Sequence, residues 1–159
     1  MTQKGAKEPD FDPQARFREY LASHGMRRTP ERDAILDAIV SFNNKVFTIE
    51  MLSTAVAGSA LGALASSTLY SNLDLLVAAG IVTRLRFDGV PIHYALAGAL
   101  PQTYLVCTSC GRVKAVADKH LIAFMNTRRY PAFSASRYSV TVYGVCNGCA
   151  RRMRRLNMQ

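Results

Sequence analysis

The stretch that decides the fold runs Ser66-Ser-Thr-Leu69-Tyr70-Ser-Asn72-Leu73-Asp-Leu-Leu76-Val77-Ala-Ala-Gly80, then Ile81-Val-Thr-Arg84-Leu-Arg86-Phe87, then Asp88-Gly89, then Val90 to Leu96. Leu69, Leu73, Leu76 and Val77 recur at the spacing of one helical face, and Gly80 is a helix stop. The other face carries Ser67, Thr68, Ser71 and Asn72, hydrogen-bonding groups short enough to work close to a groove floor. Ile81 to Phe87 largely alternates, and Asp-Gly before a second strand-like run signals a two-residue hairpin. Helix followed by short hairpin reads as the end of a winged helix-turn-helix, with Ser66 to Ala79 in the recognition position. The competing reading is a small helical domain whose polar helix face is merely wet.

Upstream, the same start signal appears twice. Asp12-Pro13 reads as N-cap and N1 of a helix with Phe17, Tyr20 and Leu21 on one face and Gly25 as its stop. Thr29-Pro30 opens a second helix bearing Ile35, Leu36, Ile39 and Val40, which Asn43-Asn44 breaks. Thr48 is placed to cap a third, with Ile49, Leu52 and Val56, and residues 58–65 are a connection. These elements predict a flexible segment over 1–12 and a winged-helix DNA-binding domain over 13–97.

Downstream the pattern changes. Tyr104 to Cys107 and Arg112 to Ala117 read as strands, Asp118 as the cap of a helix with Leu121, Ile122 and Met125, and Arg137 to Val145 as another strand. The fold class predicted is α+β: a winged helix-turn-helix followed by a small α/β domain over 98–150. A unit of about 60 residues needs a staple or a partner to be stable. A basic tail, residues 151–159 with Arg151-Arg-Met-Arg-Arg155, follows; its conformation is open. There is no internal repeat.

The staple is visible. Cys107-Thr-Ser-Cys110-Gly111 and Cys146-Asn-Gly148-Cys149 are the four cysteines of the chain. Each C-x2-C turn aims two thiolates to one side, and two such turns complete a tetrahedral S4 shell that suits Zn²⁺ and leaves no open position for a substrate. Gly111 and Gly148 are expected to relieve the backbone where it bends around a metal. A redox C-x-x-C pair, two disulfides or an iron–sulfur site compete. One structural zinc per chain, held by Cys107, Cys110, Cys146 and Cys149, is the expectation.

Composition sets the class. The 159 residues are 49% hydrophobic, enough for a core, and no apolar run is long enough for a membrane span. Met1 to Asp12 is polar and lacks a secretory h-region, so a cytoplasmic protein with no membrane partner is expected. Residues 1–97 hold 10 Lys/Arg and 10 Asp/Glu, whereas residues 98–159 hold 10 Lys/Arg against Asp118 alone, so the whole net charge of +9 lies there. That favours polyanions, with a solvated basic face as the alternative. There is no Ser/His/Asp set, no phosphate loop and no metalloprotease motif, so an enzyme is not expected.

Arg28-Thr-Pro-Glu-Arg-Asp-Ala-Ile-Leu36, Phe47-Thr-Ile-Glu-Met-Leu52, Ser67-Thr-Leu-Tyr70 with Asn72-Leu73-Asp74-Leu-Leu76, and Ala79-Gly-Ile-Val82 form an ordered set. Tyr104-Leu-Val-Cys107-Thr-Ser-Cys-Gly111 and Tyr143-Gly-Val-Cys146 through Cys149 complete it. In order and spacing, over residues 13–150, the chain resembles the ferric uptake regulator (Fur) family. The resemblance implies a homodimeric, metal-linked transcription regulator; the leading expectation is a repressor whose dimer presents two recognition helices to successive major-groove faces of double-stranded DNA, which predicts an inverted-repeat operator. DNA contact is expected through Arg28, where the resemblance implies a basic residue against the DNA, and through Ser67, Thr68, Tyr70, Ser71 and Asn72, with wing residues Arg84 and Arg86 on the backbone; Tyr70 packed on the preceding helix, and Arg84 and Arg86 merely solvated on an exposed hairpin, are the competing placements. Ser71 stands where the family usually has Arg, which removes a phosphate contact or a guanine reader.

The resemblance fails at the sensory metal sites. In place of the family's His-rich run the chain has Pro101-Gln102-Thr103-Tyr104, and the other ligand positions fall at Val46, Ala95, Ile122 and Tyr138. None is an ordinary ligand for Fe²⁺, Mn²⁺ or Zn²⁺. A second, regulatory metal is therefore not expected, a substitute site from His93 and His120 being the alternative. The functions that compete with a DNA-binding repressor are a thiol or zinc redox-responsive protein and a zinc-ribbon module bound to RNA or protein.

Overall fold

A helix–helix–helix–helix–hairpin order opens the chain. In the computed structural model, residues 11–43, 45–97, 103–135 and 138–158 are described. The expected segment 1–12 (except 11–12), Asn44, the domain boundary at 98, Pro101-Gln102 and Arg137 lie outside the described residues. The elements are α1 (Pro13–Ser23), α2 (Pro30–Ser41), α3 (Ile49–Ala57), α4 (Ser66–Ala78), β1 (Val82–Leu85), β2 (His93–Leu96), β3 (Thr103–Cys107), β4 (Val113–Val116), α5 (Lys119–Thr127), β5 (Val140–Gly144) and α6 (Asn147–Leu156). The fold is α+β, a winged helix-turn-helix and a small α/β unit. Among the described residues no helix is long and apolar enough to cross a membrane.

The helix starts follow from their caps. Asp12 accepts from the Gln14 and Ala15 amides at 2.9 and 3.1 Å, and Thr29 Oγ1 accepts from the Arg32 amide at 3.3 Å. Each cap precedes a proline whose missing N–H costs nothing at N1. The stops are as specific. At the end of α4, the Gly80 amide donates to the Val77 carbonyl and the Ile81 amide to Leu76, both at 3.0 Å. This Schellman closure needs a left-handed residue, and Gly80 has φ +67°.

Of the described residues, the first compact unit comprises 11–43, 49–83 and 96–97. Its core joins Phe17 and Leu21 from α1, Ile35, Leu36 and Ile39 from α2, Leu52 and Val56 from α3, and Leu69, Leu73 and Leu76 from α4, all buried. Val40 departs from expectation: it is 37% exposed. The buried stripe of α2 is carried by Ile35, Leu36 and Ile39, and Val40 lies one step around the helix, toward solvent.

Of the described residues, the second unit comprises 45–48, 84–95, 103–135 and 138–158. Its sheet has the order β4-β3-β5, with β3 antiparallel to β4 and parallel to β5. The hairpin differs from the two-residue form expected. Its strands stop at Leu85 and resume at His93, so residues 86–92 connect them and the Asp88-Gly89 turn lies inside that longer loop. Pro91 has no N–H to give a ladder. Leu85, Phe87 and Val90 instead pack on a cluster of Val46, Ala95, Tyr104, Val106 and Val113. The Phe87 and Tyr104 rings lie 5.2 Å apart, and Tyr143 Oη accepts from the Asp88 amide at 2.9 Å. This packing draws residues 84–95 into the second unit.

Leu73 has no exposed surface. Leu73→Ala is expected to cost about 2–5 kcal/mol of stability through lost packing and the cavity left behind, whereas Val40→Ala should change it by less than about 0.5 kcal/mol. Urea unfolding of the two variants checks the difference.

Candidate metal centre and nucleic-acid interface

Two cysteine knuckles meet because β3 and β5 run parallel. In that register Cys107 pairs with Gly144, so the first knuckle leaves β3 and the second leaves β5 at the same end of the sheet. The Thr108 amide donates to the Gly144 carbonyl at 2.8 Å and locks the two exits together. The first knuckle closes through the Gly111 amide to the Cys107 carbonyl at 2.9 Å. Gly111 takes φ +72°, the left-handed turn that its residue type was expected to supply. Gly148 is different. It lies inside α6 without a positive φ, and a Cβ there would meet nothing nearer than Cys146 Sγ at 4.0 Å, so no bend requires it.

The four sulfurs of Cys107, Cys110, Cys146 and Cys149 all lie within 4.8 Å of one another, and Cys110 and Cys146 Sγ are 3.9 Å apart. Four thiolates at about 2.3 Å from one ion stand about 3.8 Å from each other, so the set fits a tetrahedral zinc shell with small adjustments. All four are free thiols, and 3.9 Å is nearly twice the length of a disulfide bond. Cys107 and Cys149 are buried, Cys146 is half-buried and Cys110 is exposed.

The surroundings favour anionic sulfur at Cys107 and Cys146 and oppose it at Cys149. The Cys146 amide donates to Cys107 Sγ at 3.3 Å, and this bond, with the amide of Cys110, draws the Cys107 thiol down to about 6. Cys146 is lowered as well, first by the Cys149 amide. Cys149 is pushed up to about 11: the Ser109 hydroxyl draws it down, but the neighbouring Cys146 sulfur and burial outweigh it. Cys146 caps α6 and Cys149 sits in its first turn, where the helix dipole favours negative charge. Ser109 and the knuckle amides were not singled out from sequence; the C-x2-C spacing implies amides aimed at sulfur, but not which sulfur receives them.

The polar face of α4 belongs to the first unit. Ser67, Tyr70 and Ser71 are exposed and Thr68 and Asn72 half-buried. Tyr70 is 48% exposed. Ser71 Oγ and Asn72 Nδ2 both donate to the Thr68 carbonyl, at 3.1 and 2.8 Å; those donors must turn outward to read a base. Arg28 donates from Nε and Nη2 to Asp33, at 3.2 and 2.8 Å. A surface pair of this kind holds by about 1 kcal/mol or less and exchanges readily for a phosphate. Arg84 and Arg86 belong to the second unit. Arg86 is exposed, whereas Arg84 is half-buried with its Nε inside. His93 is buried with Nδ1 on the Pro91 carbonyl at 2.8 Å, and His120 is exposed. Among the described residues, the four cysteines form the one group of three or more side chains able to hold a metal.

Comparison with known proteins agrees with this architecture. The ferric uptake regulator family model matches residues 23–143. The chain is 26% identical over 134 residues to the ferric uptake regulation protein of Legionella pneumophila, covering 82% of this chain and 96% of that one. It is 25% identical over 138 residues to the peroxide operon regulator of Bacillus subtilis, covering 84% and 91%. Among solved structures, the Helicobacter pylori ferric uptake regulator superposes with TM-score 0.73 at 16% identity, over 87% of this chain and 91% of that one. The Pseudomonas aeruginosa ferric uptake regulator, solved with manganese, gives TM-score 0.66 at 23% identity, over 82% and 97%. The chain belongs to the ferric uptake regulator family, whose members are DNA-binding transcription regulators and not enzymes.

Proposed function

We propose that the chain is a homodimeric repressor that reads an inverted-repeat operator, holds one structural zinc on Cys107, Cys110, Cys146 and Cys149, and has no regulatory metal. The observation that carries the DNA reading is the exposed polar face of α4 within a winged helix of this family. Residues 13–97 then serve DNA binding and residues 98–150 dimerisation. Ser67, Thr68, Tyr70, Ser71 and Asn72 meet base edges and sugar-phosphate in the major groove, and Arg28, Arg84 and Arg86 meet phosphates. Two copies present two recognition helices about one DNA turn apart, which is why the operator is an inverted repeat. Zinc supplies no chemistry on a substrate; bound by four thiolates, it fixes the ends of β3 and β5 and the start of α6.

The absence of a sensory metal rests on what fills its places. Val46 and Ala95 are buried in the apolar cluster with Tyr104. Ile122 and Tyr138 meet through the Tyr138 hydroxyl, which donates to the Ile122 carbonyl at 3.1 Å. These positions offer hydrocarbon and phenol where a divalent metal takes imidazole, carboxylate or thiolate. The Helicobacter pylori ferric uptake regulator is described as having three functional metal binding sites; among the described residues here, one group of three or more ligand side chains is able to hold an ion.

Three measurements test this reading. Native mass spectrometry of the unaltered chain is expected to show one zinc per protomer in a dimer, and Cys110→Ser to lose the zinc and loosen the dimer; a zinc-loaded, intact mutant dimer would refute the ligand set. With an operator selected from a random duplex pool, Arg28→Ala should weaken all sequences similarly and reduce the salt slope by about 0.9 for each phosphate no longer neutralised, whereas Tyr70→Ala should change preference among sequences. Titration of the zinc-loaded dimer with Fe²⁺ or Mn²⁺ should leave operator affinity unchanged; a stoichiometric second metal that sharply raises it would overturn the regulatory reading.

A further inference from the structure

The Arg-rich run expected as a tail is helical. Residues 151–156 continue α6, the helix that opens with Cys146 as its cap and carries the buried Cys149 in its first turn. At about 100° per residue, Arg154, Arg151, Arg155 and Arg152 fall within an arc of about 160°, while Cys149, Met153, Leu156 and Ala150 share the rest. All four arginines are exposed. No Asp or Glu follows Asp118 in the chain, and among the described residues none of the four is ion-paired. Two of them lie in the last turn, where the helix dipole favours cations.

The division of charge between the units gives this face its meaning. Among its described residues the first unit, which carries the recognition helix, has 5 Lys/Arg against 7 Asp/Glu, and α4 itself has no cation. Among its described residues the second unit has 12 Lys/Arg against 2 Asp/Glu. Sequence-independent DNA affinity comes almost entirely from cations that displace counterions from phosphates. In this chain Arg28 supplies part of that term from the first unit, and the second unit holds the larger share of the cations able to supply the rest.

We propose that the Arg151, Arg152, Arg154 and Arg155 face of α6 is a second DNA-binding surface, which grips the phosphate backbone of duplex DNA without reading sequence. The proposal rests on the regulator reading above and adds a site to it. Guanidinium forks match phosphate oxygens bidentately, and arginine rather than lysine fills all four positions. An anionic membrane surface is the poorer match. Such a helix needs a broad apolar face with bulky anchors, and here that face holds Ala150, Met153 and Leu156 beside a cysteine already committed to the metal cluster.

The test uses the full zinc-loaded chain, a random-sequence duplex and fluorescence anisotropy across a salt series. In the variant with Arg151→Gln, Arg152→Gln, Arg154→Gln and Arg155→Gln, affinity should fall about tenfold or more, and the log–log salt slope should shrink by about 2–4 per chain. Zinc content and molar mass, measured alongside, should not change. The variant with lysine at all four positions should keep most of the slope. If the unaltered chain binds duplex and the glutamine variant keeps its slope, the assignment to α6 is wrong and the regulator reading stands. If the unaltered chain binds no duplex of any sequence, both fall. Preferential binding of the unaltered chain to phosphatidylglycerol vesicles, lost in the glutamine variant, would overturn the proposal in favour of a lipid surface.

Discussion

Parallel pairing of β3 with β5 is the constraint on which the second unit depends. Parallel strands cannot be joined by a tight turn, so the chain must travel through β4 and α5 before it returns. That detour puts 35 residues between the two cysteine pairs while the ladder sets Cys107 beside Gly144. The sulfurs meet because both knuckles leave the same end of the sheet. An antiparallel β5 would have sent the second pair to the opposite end, roughly the length of a five-residue strand away, at about 3.3 Å per residue.

The same sheet governs the wing. Tyr104 and Val106 point to one face of β3, and Leu85, Phe87 and Val90 cover them. In many hairpins the turn residues fix the register; here burial of apolar side chains outweighs the Asp-Gly signal, and the ladder ends before the turn is reached. A hydrogen bond from the Asp88 amide to Tyr143 then holds the loop against β5. Residues 84–95 thus owe their place to the second unit's core as much as to their own turn chemistry.

What was legible in the sequence was local. Asp12-Pro13, Thr29-Pro30 and Gly80 each mark a helix end with their own side chain or backbone, and their caps and closures stand where those residues indicate. The C-x2-C spacing announced a four-sulfur cluster because each knuckle is a self-contained turn. What was not legible is non-local: the sense of the β3–β5 pairing, the sulfur that each amide serves, and the length of the wing loop all depend on partners dozens of residues away. Val40 shows the limit within a helix, since apolar periodicity alone does not say where a stripe ends. On α4 the exposed polar face was readable, but the Ser71 and Asn72 bonds to Thr68 were not, because short polar side chains choose between their own backbone and an outside partner.

Helix α6 has ten residues, of which Cys149 alone is buried. An isolated helix of that length is marginal in water, so its order depends on the sulfur cluster at its first turn. A chain synthesised under metal starvation would carry Arg151 to Arg155 as open, extended backbone, the form that proteases with basic specificity cut. Loaded and unloaded copies would then differ in lifetime. The cell's stock of this protein would then follow the supply of metal to its four cysteines through turnover.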